Sequence, residues 1–202
     1  MKSFWLKYSQ SMADALGSVQ ATDVAGHTLS LERALELLCE WTASLRDADG
    51  TLHFAGNGAS ANMASHMAVD WTKNARVRAF AYNDVAFLTA IGNDLGYDHV
   101  FAGPVEWYAR KGDLLATISS SGNSSNVLRA IETARRKGCR IVTLSGMKAE
   151  NASRRLGDLN VFVPALTYGI VESAHQVLLH AWLDRFMNVC EWQAKTPQAP
   201  TA

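Results

Sequence analysis

The sequence predicts an α/β fold in which helices cover both faces of one mostly parallel sheet. Short apolar runs alternate with amphipathic segments of helix length, which is the pattern of strand–helix–strand units with right-handed crossovers. Two predicted strands run into turns rich in glycine and serine that open helices. The 202 residues favour a single domain, which we place at residues 1–190. We therefore expect a three-layer αβα sandwich with two extra N-terminal helices.

Those two helices precede the first predicted strand. A helix over residues 3–17 carries apolar side chains on one face: Trp5, Tyr8, Met12 and Leu16. Residues 18–29 have the composition of a loop, and Ser30 is typical of the N-cap of a second helix. The apolar faces need a partner, which is either the sheet or another subunit. The aromatic side chains of the first helix favour a subunit interface.

The rest of the chain predicts a five-stranded sheet. We place the strands at residues 51–55, 77–82, 113–118, 140–144 and 159–163. Helices are expected at residues 61–73, 84–91, 98–110, 127–137, 149–156 and 168–189, with a polar loop at 92–97. Residues 191–202 contain two prolines and little apolar content, so we expect a disordered tail.

Composition argues against several classes of function. Lys and Arg together number 19, as do Asp and Glu, so we expect no attraction to nucleic acid or to an anionic membrane surface. The three cysteines form no Cys-x-x-Cys motif, which is typical of reduced thiols in the cytoplasm. The sequence shows neither a membrane span nor the apolar core of a signal peptide. We therefore expect a cytoplasmic protein that binds neither nucleic acid nor membrane.

Residues 118–126, Ile-Ser-Ser-Ser-Gly-Asn-Ser-Ser-Asn, have the composition of an anion site. The glycine permits close approach of the backbone, the first amides of the next helix lack intrahelical partners, and the helix dipole favours negative charge. No Gly-Lys-Ser/Thr is present, so one phosphate on a small molecule fits better than a nucleotide triphosphate. The alternative is an ordinary polar loop with a serine N-cap. Ligands of such sheets bind at the carboxyl ends of strands, where both glycine–serine turns lie, and this favours phosphate.

Two helices carry side chains suited to acid–base or metal chemistry. His66 and Asp70 are one turn apart on one helix, and Glu172 and His180 share a face of the last helix. If these helices meet, the four groups can hold zinc or move protons without a metal. Each group alone is more typical of a surface pair or a buried structural histidine. Beside a phosphate anchor, a carboxylate base and an imidazole can interconvert an aldose and a ketose through an enediol.

Four motifs together resemble the SIS (sugar isomerase) domain family, and most of all its phosphoheptose isomerase branch. They are Ala55-Gly-Asn-Gly-Ala-Ser60, Gly92-Asn-Asp94, Gly112-Asp113 and Ile118 to Ser124. The similarity runs from about residue 30 to residue 190. It implies isomerisation of a sugar phosphate, sedoheptulose 7-phosphate in this branch, by a homotetramer with active sites between subunits. No Gly-x-Gly-x-x-Gly is present, so we expect no nucleotide cofactor.

The resemblance also implies roles for individual residues. Asp70 corresponds to the catalytic base and His180 to the catalytic histidine. The phosphate contacts correspond to Ser119, Ser120, Ser121 and Ser124, and the sugar contacts to Asn57, Ser60, Asp94 and Glu172. Some members bind one zinc ion per site, and the corresponding ligands are His66, Asp70, Glu172 and His180.

Four positions depart from the family pattern. Asp70 is one methylene shorter than the usual glutamate, and Glu172 replaces a glutamine, which favours a divalent cation. Gly169 stands where the isomerases have an aspartate that contacts substrate, and Asn74 where they tend to have an arginine. These changes leave a shorter or differently substituted sugar phosphate open as the substrate.

Two functions of another class also remain open. Some SIS tetramers bind the replication initiator protein, and others sense a sugar phosphate without converting it. The initiator-binding proteins lack the catalytic carboxylate and the last-helix histidine. Because this chain retains Asp70 and His180, we favour the enzyme.

Overall fold

The computed structural model describes residues 3–193, which form one sheet with helices on both faces. The strands are β1 Gln20–Asp23, β2 Thr28–Leu29, β3 Leu52–Gly56, β4 Ala79–Ala81, β5 Leu114–Ser119, β6 Arg140–Gly146 and β7 Leu159–Val163. The helices are α1 Phe4–Gly17, α2 Leu31–Asp47, α3 Ala59–Lys73, α4 Val85–Asp94, α5 Ala102–Tyr108, α6 Ser125–Lys137 and α7 Tyr168–Met187. The predicted three-layer αβα class is confirmed.

Within the described residues the sheet has seven strands in the order β2-β1-β7-β6-β5-β3-β4. The five strands from β3 to β7 are parallel, whereas β1 pairs antiparallel with both β7 and β2. The prediction of a loop over residues 18–29, and with it the count of five strands, is therefore wrong. Asp23 closes a tight turn by accepting from the amides of Ala25 and His27, and the resulting hairpin docks on β7.

Two predicted helices are shorter in the structure, and the predicted polar loop is partly helical. A 3-10 turn at Tyr97–His99 and α5 replace the helix expected at 98–110, because Pro104 lacks an N–H and fits only a first helical turn. The segment 149–156 keeps one 3-10 turn, Ser153–Arg155, while α4 continues to Asp94. In the expected tail, Glu191–Gln193 form a 3-10 turn, and residues 194–202 lie outside the described part.

The helix ends follow the local signals in the sequence. The Ser30 hydroxyl accepts from the Arg33 amide at 3.1 Å at the start of α2, and Asp84 caps α4 in the same way. Gly138 ends α6 with a left-handed φ of 79°. These predicted caps are confirmed.

The core lies on both faces of the sheet. Helices α2, α3 and α7 cover one face, where the rings of Trp71 and Trp182 lie 5.0 Å apart. Helices α4, α5 and α6 cover the other face over Leu115 and Ile141. Burial on both faces explains why the parallel strands are nearly continuous apolar runs. Among residues 3–193, no helix has the length and apolar composition needed to cross a bilayer.

Candidate functional site

Two glycine-rich turns lie side by side at the carboxyl ends of neighbouring strands: residues 56–60, and residues 118–126, which we call the serine turn. Strands β3 and β5 are parallel neighbours, and Gly56 at the end of β3 pairs with Ile118 near the end of β5. Two reciprocal hydrogen bonds of 2.9 Å join the side-chain amides of Asn57 and Asn126, one from each turn. The Tyr97 hydroxyl also donates to the Asn57 oxygen, at 3.4 Å. The turns therefore form one continuous polar edge.

The glycine-rich turn at residues 56–60 places α3 close against the end of β3. A Cβ at Gly56 would lie 2.7 Å from the Cβ of Ser60 and 2.8 Å from the Ile118 oxygen, so only glycine fits. Ser60 is buried in the first turn of α3, whereas Asp94 is exposed at the end of α4. This close approach brings the amino end of α3 to the edge that the serine turn occupies.

The serine turn is held in shape by its own backbone and leaves hydroxyls available. Gly122 has a φ of 64°, and its amide donates to the carbonyl of Ser119 at 3.0 Å and to its hydroxyl at 3.2 Å. Ser124 is the N-cap of α6, and its side chain makes no capping hydrogen bond. The Val127 amide donates to the Asn126 side-chain oxygen at 2.9 Å, which leaves the Ser125 and Asn126 amides as the first α6 donors without a partner within the helix.

Ser120 gives an independent indication of a ligand. Its side chain is buried, and its hydroxyl has no hydrogen-bond partner among the described residues. A buried polar atom without a partner is unfavourable by about 1–3 kcal/mol. A phosphate oxygen beside the turn would satisfy such a hydroxyl, so the donors of the turn fit a phosphate.

A second group of polar side chains joins α3 and α7. His66 Nε2 lies 3.2 Å from an Asp70 carboxylate oxygen, and the rings of His66 and His180 are 5.3 Å apart. One ligand atom from each of these three residues lies within 4.8 Å of the others. Glu172 is not part of this group and lies half-buried two turns before His180 on α7. The structure thus brings together three of the four residues singled out on these helices.

His53 is a buried imidazole that no pattern in the sequence distinguishes. His53 Nδ1 lies 2.6 Å from the Tyr82 hydroxyl, and Nε2 lies 3.1 Å from Asp113. Asp113 also accepts from the amides of Thr51 at 2.8 Å and Arg110 at 2.7 Å. Burial alone raises the pKa of Asp113, but these three hydrogen bonds outweigh it and hold the pKa below its ordinary value. The Gly112-Asp113 motif therefore has a structural role here.

Two contacts near the predicted site have no local signal in the sequence. The Tyr8 hydroxyl lies 2.8 Å from the point where a Cβ of Gly169 would be, so α1 fills the space beside α7. Asn151 is buried beneath the serine turn, where its amide oxygen would lie 2.0 Å from a Cβ on Gly122. Both contacts join segments distant in sequence, and no local pattern predicts them.

Comparisons with known proteins agree with these features. The family model described as "SIS domain" matches residues 7–146. The phosphoheptose isomerase of Enterobacter sp. strain 638 is 38% identical over 157 residues, which covers 75% of this chain and 79% of that protein.

Solved structures show the same fold over nearly the whole chain. A phosphoheptose isomerase from Francisella tularensis superposes with a TM-score of 0.79 and 25% identity, covering 93% of this chain and 99% of that one. The phosphoheptose isomerase of Neisseria gonorrhoeae superposes with a TM-score of 0.71 and 30% identity, covering 91% and 99%. The resemblance in the motifs is thus matched by the architecture.

Proposed function

The chain belongs to the SIS domain family, in its phosphoheptose isomerase branch, and from this premise we propose how it acts. It is an aldose–ketose isomerase of a sugar phosphate, and the substrate is sedoheptulose 7-phosphate, which it interconverts with the heptose 7-phosphate aldose. The observation that carries the chemistry is the grouping of His66, Asp70 and His180. A carboxylate and two imidazoles at this separation form an acid–base set.

The serine turn supplies the anchor for substrate. Ser119, Ser120, Ser121 and Ser124 hold the phosphate together with the first amides of α6. Four polar residues contact the sugar: Asn57, Ser60, Asp94 and Glu172. Binding energy from the phosphate is remote from the reacting carbons, so it serves to orient them for proton transfer.

Asp70 and His180 move the protons. The Asp70 carboxylate removes the proton from the carbon next to the carbonyl, and the resulting enediol is shared by the aldose and the ketose. The His180 imidazole gives a proton to the carbonyl oxygen and takes one from the neighbouring hydroxyl. His66 lies 3.2 Å from the carboxylate and orients it. Return of the proton from Asp70 to the adjacent carbon completes the isomerisation.

The donor set also fits one zinc ion per active site. Two imidazoles and a carboxylate are ligands typical of catalytic zinc, and His66, Asp70 and His180 supply them. We include Glu172, which lies outside this group, as a fourth ligand from α7. Bound there, zinc supplies Lewis-acid polarisation of the substrate carbonyl. No nucleotide cofactor takes part in this proposal.

We place these sites between the subunits of a homotetramer in the cytoplasm. With a helical rise of ~1.5 Å per residue, Asp70 lies about 15 Å beyond Ser60 along α3. The phosphate anchor and the acid–base group are therefore near opposite ends of one helix, which favours a site completed by a second copy. Exposed apolar side chains on α1, at 81% for Phe4 and 70% for Trp5, are suited to burial between subunits.

Turnover across a series of sugar phosphates tests the function. We expect sedoheptulose 7-phosphate to raise the melting temperature and to be converted, with weaker stabilisation by five- and six-carbon ketose phosphates. Conversion of a shorter sugar in preference would correct the substrate and keep the chemistry. Stabilisation by every sugar phosphate without conversion of any would instead indicate a sensor.

Elemental analysis of the purified protein tests the metal. We expect about one zinc per chain, with reduced occupancy in Glu172→Ala and retained occupancy in Glu172→Gln, which keeps an oxygen ligand. Full activity in protein stripped of metal by a chelator would reject a catalytic zinc ion.

A further inference from the structure

The serine turn rests on a second segment, residues 147–155, which we define as the support loop. The Ser153 amide donates to the Gly122 carbonyl at 2.9 Å, and the Ala152 amide donates to the Asn123 side-chain oxygen at 2.9 Å. These bonds hold the tip of the turn from outside its own sequence. We therefore expect a displacement of the support loop to move the tip of the turn.

Asn151 fixes the support loop to the end of β6. Its side chain is 1% exposed, and its amide nitrogen donates to the Lys148 carbonyl at 2.8 Å and to the Ser145 hydroxyl at 3.2 Å. Its amide oxygen accepts from the Arg154 amide at 3.0 Å and from the Ser153 hydroxyl at 3.2 Å. Both ends of the side-chain amide are thus hydrogen-bonded inside the protein.

The same side chain lies directly against the tip of the serine turn. A Cβ on Gly122 would be 2.0 Å from the Asn151 oxygen and 2.3 Å from its Cγ. The glycine is needed for this contact as well as for its left-handed φ of 64°. The planar amide of Asn151 therefore fills the space beneath Gly122. It limits how far the hydrogen-bond donors of the serine turn can move away from a bound phosphate.

We propose that Asn151 is a positioning residue for phosphate binding, an inference that rests on the proposed function. It acts on the substrate phosphate through Gly122 and Ser153 rather than by contact. Hydrogen-bond donors stabilise an anion fully only when they are held in place beforehand, and small displacements weaken them. Loss of Asn151 should therefore weaken phosphate binding and leave the proton-transfer step nearly unchanged.

Asn160 provides a matched control. It is 3% exposed on β7, accepts from the Thr143 hydroxyl and the Gly157 amide at 2.8 Å each, and donates to the Gly157 carbonyl at 3.1 Å. Its replacement also removes a buried, hydrogen-bonded amide. None of these bonds reaches the serine turn, so any loss through general destabilisation should appear equally in this variant.

The test compares Asn151→Ala with Asn160→Ala, using sedoheptulose 7-phosphate for kinetics and inorganic phosphate as a competitive probe. For Asn151→Ala we expect KM and the inhibition constant of phosphate to rise together by about tenfold, with kcat changed less than threefold. For Asn160→Ala we expect both constants to stay within about twofold at a similar loss of melting temperature. If Asn151→Ala does not fold, Asn151→Ser replaces it with the same expectation, because it keeps a neutral polar group and removes the amide from beneath Gly122.

The outcomes separate this inference from the function on which it rests. Equal shifts in the two variants, or an unchanged phosphate constant in Asn151→Ala, would overturn the role of Asn151 while turnover by the unaltered protein stands. A protein that binds phosphate in an Asn151-dependent way but converts no sugar would support the positioning role and reject the isomerase.

Discussion

Residues 3–193 contain three imidazole–carboxylate pairs: His27–Asp23 beside the β1–β2 turn, and two further pairs that have nearly the same separation and opposite surroundings. His66 lies 3.2 Å from Asp70, and His53 lies 3.1 Å from Asp113. The His66 and Asp70 side chains are 55% and 21% exposed, whereas those of His53 and Asp113 are 1% and 4% exposed. The separation of the two groups therefore does not distinguish a site for chemistry from a structural element.

What distinguishes the pairs is how much of their hydrogen-bonding capacity the protein itself uses. In the buried pair, both ring nitrogens of His53 and both oxygens of Asp113 are engaged, which ties the starts of β3 and β5 to Tyr82. In the exposed pair, Asp70 contacts His66 and accepts a long bond of 3.4 Å from the Asn74 side chain. The neighbouring His180 makes no side-chain hydrogen bond within residues 3–193. A substrate or a metal requires donor and acceptor atoms that face solvent and are not already hydrogen-bonded within the protein. The following predictions test whether this difference separates the two pairs.

The largest effect is expected from Asp70→Asn. The amide cannot accept the proton from carbon, so exchange of a C1 hydrogen of sedoheptulose 7-phosphate with deuterium from solvent should fall by roughly 10²- to 10⁴-fold. The melting temperature should change little, because the carboxylate makes few bonds to the protein. Exchange is followed by proton nuclear magnetic resonance in heavy water. Asp70→Glu, which keeps the carboxylate, is the matched control, and undiminished exchange in Asp70→Asn would reject the base.

Asp113→Asn should show the reverse pattern. The backbone N–H groups of Thr51 and Arg110 would then face a neutral side chain in place of the carboxylate that accepts their hydrogen bonds. The free energy of unfolding should therefore fall by roughly 3–5 kcal/mol. The kcat of the folded fraction should stay within about twofold, since the pair lies outside the proposed site. Urea unfolding and turnover at low temperature measure the two quantities. A tenfold loss of kcat with unchanged stability would move this pair into the active site.

The same variant has a defined pH dependence. Because the hydrogen bonds hold the folded-state pKa of Asp113 below its ordinary value, its ionised form stabilises the fold at neutral pH. That contribution is present above about pH 4 and is lost as the pH falls through the folded-state pKa. The difference in stability between the unaltered protein and Asp113→Asn should therefore shrink at acid pH.

The sequence was sufficient where a feature depends on neighbours along the chain. The caps at Ser30 and Gly138, the two glycine-rich turns and the one-turn spacing of His66 and Asp70 are local, and the structure has all of them. The sequence does not predict the meeting of α3 with α7, on which the site depends. This meeting depends on packing between helices far apart in sequence, with Trp71 against Trp182 at its centre.

Features fixed by tertiary contacts were missed for the same reason. The β1–β2 hairpin is stabilised by pairing with β7, from Gln20 against Phe162 to Asp23 against Leu159, and its own residues have no strong alternation. Asn151 is an ordinary loop residue by type. Its role depends on contacts with Ser145 in β6 and with Gly122 in the serine turn, both of which are tertiary. Glu172 is grouped by helical spacing and by the resemblance, neither of which fixes the direction of a side chain, and its place in the site stays a prediction.

His175 is a buried imidazole with one hydrogen-bond partner, and we expect an intermediate effect from it, on the pH dependence of stability. It is fully buried, and its Nε2 donates to the Ser145 carbonyl at 3.1 Å, while burial lowers its pKa to about 4. Between pH 6.5 and 4 the unfolded chain therefore binds a proton that the folded chain does not, so stability falls as the pH falls. The loss should reach roughly 3 kcal/mol near pH 4. Urea unfolding of His175→Gln should show a flatter pH profile, and parallel profiles would refute the assignment.

The smallest effect on stability is expected at Gly169, where the Tyr8 side chain fills the space beside α7. The resemblance places an aspartate at the position of Gly169, but a Cβ here would lie 2.8 Å from the Tyr8 hydroxyl, with only Tyr8 atoms within 4 Å. Gly169→Ala should therefore be nearly neutral, because the displacement of Tyr8 offsets a gain in helix propensity of up to ~1 kcal/mol.

In a Tyr8→Phe background the offset disappears, so the same substitution should stabilise the fold. The coupling in a double-mutant cycle measured by urea unfolding should be about 0.5–1 kcal/mol. Gly92→Ala in α4, where a Cβ meets no atom within 4 Å, is the control and should show no coupling to Tyr8. Equal coupling at both glycines would mean that Tyr8→Phe acts on the whole fold. Coupling confined to Gly169 would establish that α1 closes the space in which the family's aspartate would otherwise stand.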